Sequence, residues 1–325
     1  MSFAARKEIY RQIEEKLACR IITYVTGDRQ NAQSQLSGDA LPFFVKLLDE
    51  IGVTEHIALF LYTRGGDIMA AWSIVNLIRS FCDRFTVIVP FHCHSAGTII
   101  CLGADKIIMT KQATLGPIDP SYNSPLNPIS QLIPEPYPVS VEQVNAYFQL
   151  LDSKQIVNEV HKAKLIEQLA EKIHPLVLGQ VYKTNSQIKR IADRLLSLSY
   201  NDSEVRTNVI NFLCSESGSH DYTINRAEAR DHLKLNIEKP DPELYRMIKS
   251  VFDDFHDELN LSNPFMPLTQ LLNGQQEYNY ELILSILECS GDNGYCFIQK
   301  GKAFQTNNPA NPYANFSTDS CWTKV

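Results

Sequence analysis

The sequence lacks the common signatures of metal, nucleotide and nucleic-acid binding. Its eight cysteines include no Cys-x-x-Cys pair, which argues against a zinc knuckle and a disulfide framework. It contains neither the Gly-x-Gly-x-x-Gly turn of dinucleotide-binding folds nor a phosphate-binding P-loop. A net charge of −7 without a basic stripe argues against a nucleic-acid partner. We therefore expect no cofactor, no metal site and no nucleic acid.

Long apolar runs are also missing. The longest one, Thr98 to Met109, is interrupted by Asp105 and Lys106 and is shorter than the roughly 20 residues that cross a bilayer. The first 20 residues are charged throughout and have no apolar core of the kind found in signal peptides. We expect a cytoplasmic protein with reduced thiols and no membrane span.

The first third of the sequence alternates between apolar runs and helical patterns. HIALFLYT (56–63) and FTVIVP (85–90) are nearly continuous apolar runs, typical of parallel strands buried on both faces. Helical patterns follow each of them, in IMAAWSIVNLIRSF and SAGTIICLGA, and KIIMT is a further short strand. This alternation predicts an α/β fold with a parallel sheet.

The remaining sequence divides into a loop, a helical region and a C-terminal part. Residues 121–138 are rich in Pro, Ser and Asn and are expected to form a loop, and 140–198 are helical with a break at His174-Pro175. We assign residues 1–237, including both segments, to one domain. Residues 238–325 are expected to form a small α+β domain.

Within the C-terminal domain, the patterns predict helices at Leu244–Leu259 and near Leu282–Leu287. They also predict a hairpin in GYCFIQKGKAFQ (294–305). The last 20 residues are polar and rich in Pro and Asn, so a loosely ordered tail is expected.

Two glycine-containing turns each follow a buried strand: LYTRGGD (61–67) and FHCHSAGT (91–98). The spacing from Gly66 to Ser95 fits one helix and one strand, so both turns are expected at the same carboxyl edge of the sheet, where open α/β folds bind ligands. A serine at such a turn projects its hydroxyl outward and can also cap the following helix. Backbone N–H groups from the two turns would provide the pair of donors that a tetrahedral oxyanion requires.

The segment strand–TRGGD–helix–strand–SAGTIICLGADKIIMTKQATLGPIDP resembles the Clp-protease/crotonase superfamily. Within it, the sequence is most similar to the branch of signal peptide peptidase A and the soluble serine dehydrogenase proteinases. The resemblance is strong from about Arg20 to Pro120 and weaker to about residue 235. It implies a spiral core of ββα units, a homo-oligomer, a serine peptidase with Ser95 as nucleophile, and an oxyanion hole from Gly65, Gly66 and Ala96.

The general base is less clear from the resemblance. Clp proteases carry a histidine where this sequence has LGPIDP, which contains Asp119 instead. Signal peptide peptidases use a lysine on a later helix, and such a base requires a pKa lowered by several units through burial. No lysine lies between Lys111 and Lys154, so the candidates are Lys154, Lys162 and Lys164.

His92 and His94 precede the serine. Strand alternation places both on one face and Cys93 on the other, and the strand directs their side chains away from the serine, which favours a site-wall or packing role over that of the base.

Three functions are compatible with these observations. The first is an ATP-independent serine peptidase that cleaves peptides or unfolded proteins through an acyl-enzyme. The second is an inactive oligomeric scaffold that has lost its base. The third is a crotonase-like acyl-thioester enzyme with Asp119 as acid or base.

Overall fold

The computed structural model describes residues 3–118, 121–122, 124–129, 136–153, 158–216, 221–272, 276–306 and 313–325. These residues form two compact units, Met1–Leu115 with Ile224–Val325 (the first unit) and Gly116–Thr223 (the second unit).

The helices are α1 (Phe3–Leu17), α2 (Leu41–Ile51), α3 (Ile68–Arg79), α4 (Ala96–Leu102), α5 (Val141–Ser153), α6 (Glu159–Lys172), α7 (Pro175–Leu196), α8 (Ser203–Asn211), α9 (Arg226–Asp231), α10 (Pro242–Glu258) and α11 (Leu268–Leu272). A 3-10 turn (Gly38–Ala40) and a π-helical turn (Phe212–Glu216) accompany them.

The strands are β1 (Arg20–Thr26), β2 (Asp28–Arg29), β3 (Ala32–Gln33), β4 (Thr54–Tyr62), β5 (Cys82–Val89), β6 (His92–Cys93), β7 (Lys106–Met109), β8 (Thr114–Leu115), β9 (Ser121–Tyr122), β10 (Val139–Ser140), β11 (Ile224–Asn225), β12 (Ile237–Glu238), β13 (Glu277–Cys289), β14 (Gly294–Gln305) and β15 (Tyr313–Lys324).

The main sheet lies in the first unit. Among the described residues it has eight strands in the order β12-β7-β5-β4-β1-β13-β14-β15. The strands from β12 to β1 are parallel, and β13, β14 and β15 continue the sheet antiparallel. A small sheet, β11-β8-β6, lies in the same unit. The predicted α/β class and the buried parallel strands β4 and β5 are confirmed.

The predicted boundary at residue 237/238 does not separate the two units, because the C-terminal strands belong to the main sheet. Ile22 of β1 pairs with Cys289 of β13, and Thr26 pairs with Ser285. The helix predicted near Leu282–Leu287 is therefore wrong, because this apolar run is a strand between two neighbours. The paired residues are more than 250 positions apart in the sequence, so a local sequence pattern cannot predict their pairing.

The predicted hairpin within residues 294–305 is also wrong, since β14 is one uninterrupted strand. Gly301 does not form a turn. It leaves room for the Tyr280 side chain of the neighbouring strand, because a Cβ at position 301 would lie 2.2 Å from the Tyr280 hydroxyl oxygen. The expected loose tail is a strand over Tyr313–Lys324, and its residues 307–312 lie outside the described residues.

A buried ion network joins the N-terminal helix to the C-terminal elements. The Arg6 side chain is 1% exposed. Its Nε donates to Glu288 Oε2 at 3.0 Å and its Nη1 to Asp254 Oδ2 at 2.5 Å. Its guanidinium lies over the ring of Phe255, 4.6 Å from the centroid. The side chain therefore connects α1, α10 and β13 inside the core.

The second unit is mainly helical. The break predicted at His174-Pro175 is confirmed, because α7 begins at Pro175 and the amide of Leu176 donates to His174 Nδ1. β9 and β10 pair across the predicted loop, of which residues 123 and 130–135 lie outside the described residues. Buried valines of β10, α5 and α7 pack into one hydrophobic cluster of this unit.

Candidate active site

The two glycine-containing turns meet at the carboxyl edge of the parallel strands. The Thr63 amide donates to the His92 carbonyl at 3.0 Å, and the His94 amide donates to the Thr63 carbonyl at 3.0 Å. Thr63 follows β4, and the two histidines follow β5. The expected convergence of the turns is therefore a direct backbone contact.

The glycine turn lies against the serine. Gly65 has a φ of 113°, and a Cβ added to it would lie 2.7 Å from the Ser95 Cβ. Gly66 has a φ of 145°, and its Cβ would lie 2.2 Å from the Leu36 carbonyl oxygen. Only glycine combines these backbone angles with so close an approach.

Ser95 adopts a strained backbone conformation. Its φ of 51° and ψ of −114° lie outside the regions that L-residues prefer, and α4 begins at the next residue. The side chain is half-buried and makes no capping hydrogen bond. The serine thus occupies the N-cap position without capping the helix, because the sharp turn directs its hydroxyl elsewhere. Strain of this kind concentrates at functional sites.

Two backbone N–H groups beside the serine have no hydrogen-bond acceptor among the described residues: those of Gly66 and Ala96. The Gly65 amide differs, because it donates to Thr63 Oγ1 at 3.0 Å. Of the two glycines predicted for the oxyanion hole, only Gly66 therefore has a donor that remains available.

Two threonines support the turns, and the sequence reasoning missed both. Thr63 is fully buried and accepts a hydrogen bond from Thr26 Oγ1 at 2.7 Å. Thr114 Oγ1 lies 3.2 Å from His92 Nδ1 and 2.9 Å from His94 Nε2. Thr63 ends an apolar run and is separated from the glycine pair by Arg64 alone, and this position is the signal that could have identified it.

The two histidines lie on one side of the strand, as the alternation predicts. Their rings lie 4.9 Å apart on the Thr114 side, and Cys93 points the other way, with its Sγ 3.5 Å from that of Cys101. Burial, assisted by the positive charge of Arg64, lowers the pKa of His92 to about 4. His92 is therefore neutral at pH 7.

The four base candidates lie either in the second unit or outside the described residues. Ser95 Oγ makes no hydrogen bond to any residue that the structure describes. Lys162 and Lys164 lie on α6 in the second unit, half-buried and exposed, respectively. Asp119 and Lys154 lie outside the described residues.

A cavity of about 430 Å³ lies at the same sheet edge. Its lining includes Arg64, Phe91 and His92, which belong to the two turns or flank them, together with Tyr62 and Phe252. The rings of Phe91 and Phe252 are stacked with centroids 5.6 Å apart. Arg64 at the rim is paired with Asp28, Nε to Oδ2, at 2.7 Å.

The described residues include no group of three His, Cys, Asp or Glu side chains that could hold a metal ion. Within the same part of the chain, no helix has the length and apolar character needed to cross a membrane.

Two curated relatives are proteins of Methanocaldococcus jannaschii. The uncharacterized protein MJ0137 is 26% identical over 248 residues, which cover 74% of this chain and 75% of that protein. The uncharacterized protein MJ1495 is 29% identical over 200 residues, covering 59% of this chain and 64% of that protein.

Solved structures with similarity to this one include two proteases. The 1510-N membrane-bound stomatin-specific protease gives a TM-score of 0.39 at 16% identity, covering 66% of this chain and 79% of that one. ClpP1 from Listeria monocytogenes gives a TM-score of 0.38 at 14% identity, covering 72% of this chain and 98% of that one.

A family model provides the most extensive match. Residues 1–271 fit the model of the ClpP-like SDH-type serine proteinases, so the match includes both glycine-containing turns and the strained serine between β6 and α4. The chain therefore belongs to the ClpP-like SDH-type serine proteinase family.

Proposed function

We propose that this protein is a serine endopeptidase in which Ser95 attacks peptides or unfolded proteins without ATP. Membership of a serine proteinase family supports the peptidase activity. The observation that carries the assignment to Ser95 is its strained turn, held against Gly65 beside the two available N–H groups of Gly66 and Ala96.

The reaction follows acyl-transfer chemistry. Ser95 Oγ attacks the carbonyl carbon of the scissile peptide bond while its proton passes to a general base. The Gly66 and Ala96 N–H groups donate to the oxyanion of the tetrahedral intermediate. The C–N bond then breaks, the amine leaves with the proton, and water hydrolyses the ester on Ser95 to release the acid.

The base in this proposal is a lysine from the segment that follows the predicted loop. Lys154, Lys162 and Lys164 are the candidates, and Asp119, in the place of the Clp histidine, is a further catalytic candidate. A lysine acts as a base near neutral pH only where burial lowers its pKa by several units. The candidate therefore has to be buried beside Ser95 when substrate is bound.

The cavity of about 430 Å³ supports a peptide substrate. Tyr62, Phe91 and Phe252 give it an aromatic wall, and its charged groups are paired with each other, Arg64 with Asp28 and Lys249 with Asp253. Apolar walls of this type accommodate an uncharged side chain and keep it out of water.

A scaffold is the second candidate function, and one observation favours it: Ser95 Oγ has no base partner among the described residues. Under either function we expect a cytoplasmic homo-oligomer. Light scattering coupled to gel filtration measures the oligomeric state.

The test is hydrolysis of fluorescein-labelled casein in the absence of ATP. We expect activity in the wild type and none in Ser95→Ala. Single alanine variants at Lys154, Lys162 and Lys164 then identify the base as the one whose loss abolishes hydrolysis while the other two remain active. An inactive wild-type oligomer would instead support the scaffold.

A further inference from the structure

A second cavity, of about 450 Å³, lies where β7 and β12 end. The two strands are parallel neighbours, with Ile237 opposite Ile107. The residues after each strand therefore emerge side by side at the carboxyl edge of the sheet. The cavity is lined by Lys111, Arg226, Lys239, Pro240, Asp241, Pro242 and Tyr245.

Three cations from three different segments converge on this cavity. Lys111 follows β7, and its ammonium lies over the Tyr245 ring, 5.1 Å from the centroid. Arg226 begins α9 and donates from Nη1 to the Met109 carbonyl at 3.3 Å, which fixes its guanidinium beside the end of β7. Lys239 follows β12 and is exposed.

The carboxylates that the structure describes do not balance the positive charge of the cavity. Lys111 and Lys239 form no ion pair with any residue that the structure describes. The only carboxylate in the lining, Asp241, accepts hydrogen bonds from the amides of Glu243 and Leu244 at the start of α10. Asp241 also pairs with Lys16 at 3.0 Å. Three cations therefore face one carboxylate that is already engaged, in a chain whose net charge is −7.

We propose that this cavity binds a small organic phosphate. A ligand with two or more negative charges neutralises the converging cations, which a monocarboxylate does only in part. The planar guanidinium of Arg226 fits a phosphate through two parallel hydrogen bonds, and the two lysines add point charges. Pro240 and Tyr245 offer apolar surface to the organic part of the ligand, and the cavity volume lies within the range of small-molecule sites.

Isothermal titration calorimetry with inorganic pyrophosphate and with phenyl phosphate tests the proposal. We expect both probes to bind the wild type and benzoate to bind much more weakly. Tighter binding of phenyl phosphate would support an organic phosphate, whereas tighter binding of pyrophosphate would overturn that assignment in favour of a free polyphosphate. Lys111→Ala and Lys239→Ala should each weaken pyrophosphate about tenfold or more, since each removes a charge-assisted contact.

Two further variants serve as controls. Lys300→Ala removes an exposed lysine that pairs with Glu281 on the main sheet, and it should leave the affinity unchanged. Asp241→Asn keeps a good helix cap but removes the negative charge, so it should bind pyrophosphate more tightly than the wild type. The proposal is overturned if neither probe binds at millimolar concentration, or if the variants at 111, 239 and 300 bind alike.

Discussion

The strained backbone at Ser95 makes an unusual prediction: the glycine variant should be more stable than the alanine variant. Both lack the hydroxyl, so both should be inactive as peptidases. They differ in the Cβ, which Ser95→Ala retains at a φ of 51° and a ψ of −114°. Glycine adopts such angles without a steric penalty.

The size of the effect follows from two opposing terms. A non-glycine residue in a sparsely populated region of this kind costs about 1–3 kcal/mol. Glycine loses more backbone entropy than alanine on folding, and this loss cancels about 0.4–1 kcal/mol of the stability gained by relieving the strain. Ser95→Gly should therefore exceed Ser95→Ala in free energy of unfolding by about 0.5–2 kcal/mol, or roughly 1–4 °C in melting temperature.

Differential scanning calorimetry of the two variants measures this difference. Ser73 provides a matched control, because it lies within α3 and its Oγ donates to the Met69 carbonyl in an ordinary helix. There the order should be reversed, with Ser73→Gly less stable than Ser73→Ala by about 1 kcal/mol. If Ser95→Gly melts at or below Ser95→Ala, the serine is not strained and the reasoning from its backbone fails.

Three further predictions concern the glycine turn, the half-buried His92 and the core ion network. Gly65→Ala places a Cβ 2.7 Å from that of the serine and should lower casein hydrolysis at least about 100-fold, whereas Gly38→Ala, whose Cβ meets nothing within 4 Å, should remain active in the same assay. Because the pKa of His92 is lowered to about 4 from 6.5, the unfolded chain takes up a proton at this residue before the folded one does. The stability that His92 contributes is therefore full above pH 6.5 and is lost as the pH falls toward 4. Between pH 7 and pH 5, the loss measured by urea unfolding should be roughly 1 kcal/mol larger in the wild type than in His92→Gln, and equal losses in both proteins would refute the assignment. Arg6→Met leaves buried carboxylates unpaired and should destabilise the fold by about 3–5 kcal/mol in urea, compared with about 0.5 kcal/mol or less for the exposed Arg11→Met; similar losses in both would contradict the role of the network.

The parallel half of the fold could be predicted from the sequence because its signals are local. Buried parallel strands produce continuous apolar runs, as in HIALFLYT and FTVIVP, and glycines mark where the chain turns at their ends. The C-terminal half could not be predicted in the same way. The antiparallel strand β13 is defined by its pairing with β1, and Gly301 resembles a turn residue until its neighbour Tyr280 is seen.

The candidate site divides in the same manner. Ser95 and the glycine turn lie at the ends of neighbouring strands, so their proximity follows from the strand order. The sequence does not tell which of Gly65 and Gly66 keeps a free N–H donor. That depends on the Thr63 hydroxyl, which accepts the hydrogen bond of the Gly65 amide. The base is the hardest part, since no local pattern indicates which later lysine approaches the serine.

Intact-mass spectrometry after incubation with a fluorophosphonate tests the central claim, an activated Ser95, most directly. The probe is small and reports nucleophilic reactivity without requiring a preferred peptide substrate. We predict one adduct on the wild type, located at Ser95 by peptide mapping and absent from Ser95→Ala. A wild-type oligomer that remains unlabelled at neutral and alkaline pH, or an adduct that persists in Ser95→Ala, would contradict the assignment of Ser95 as the nucleophile.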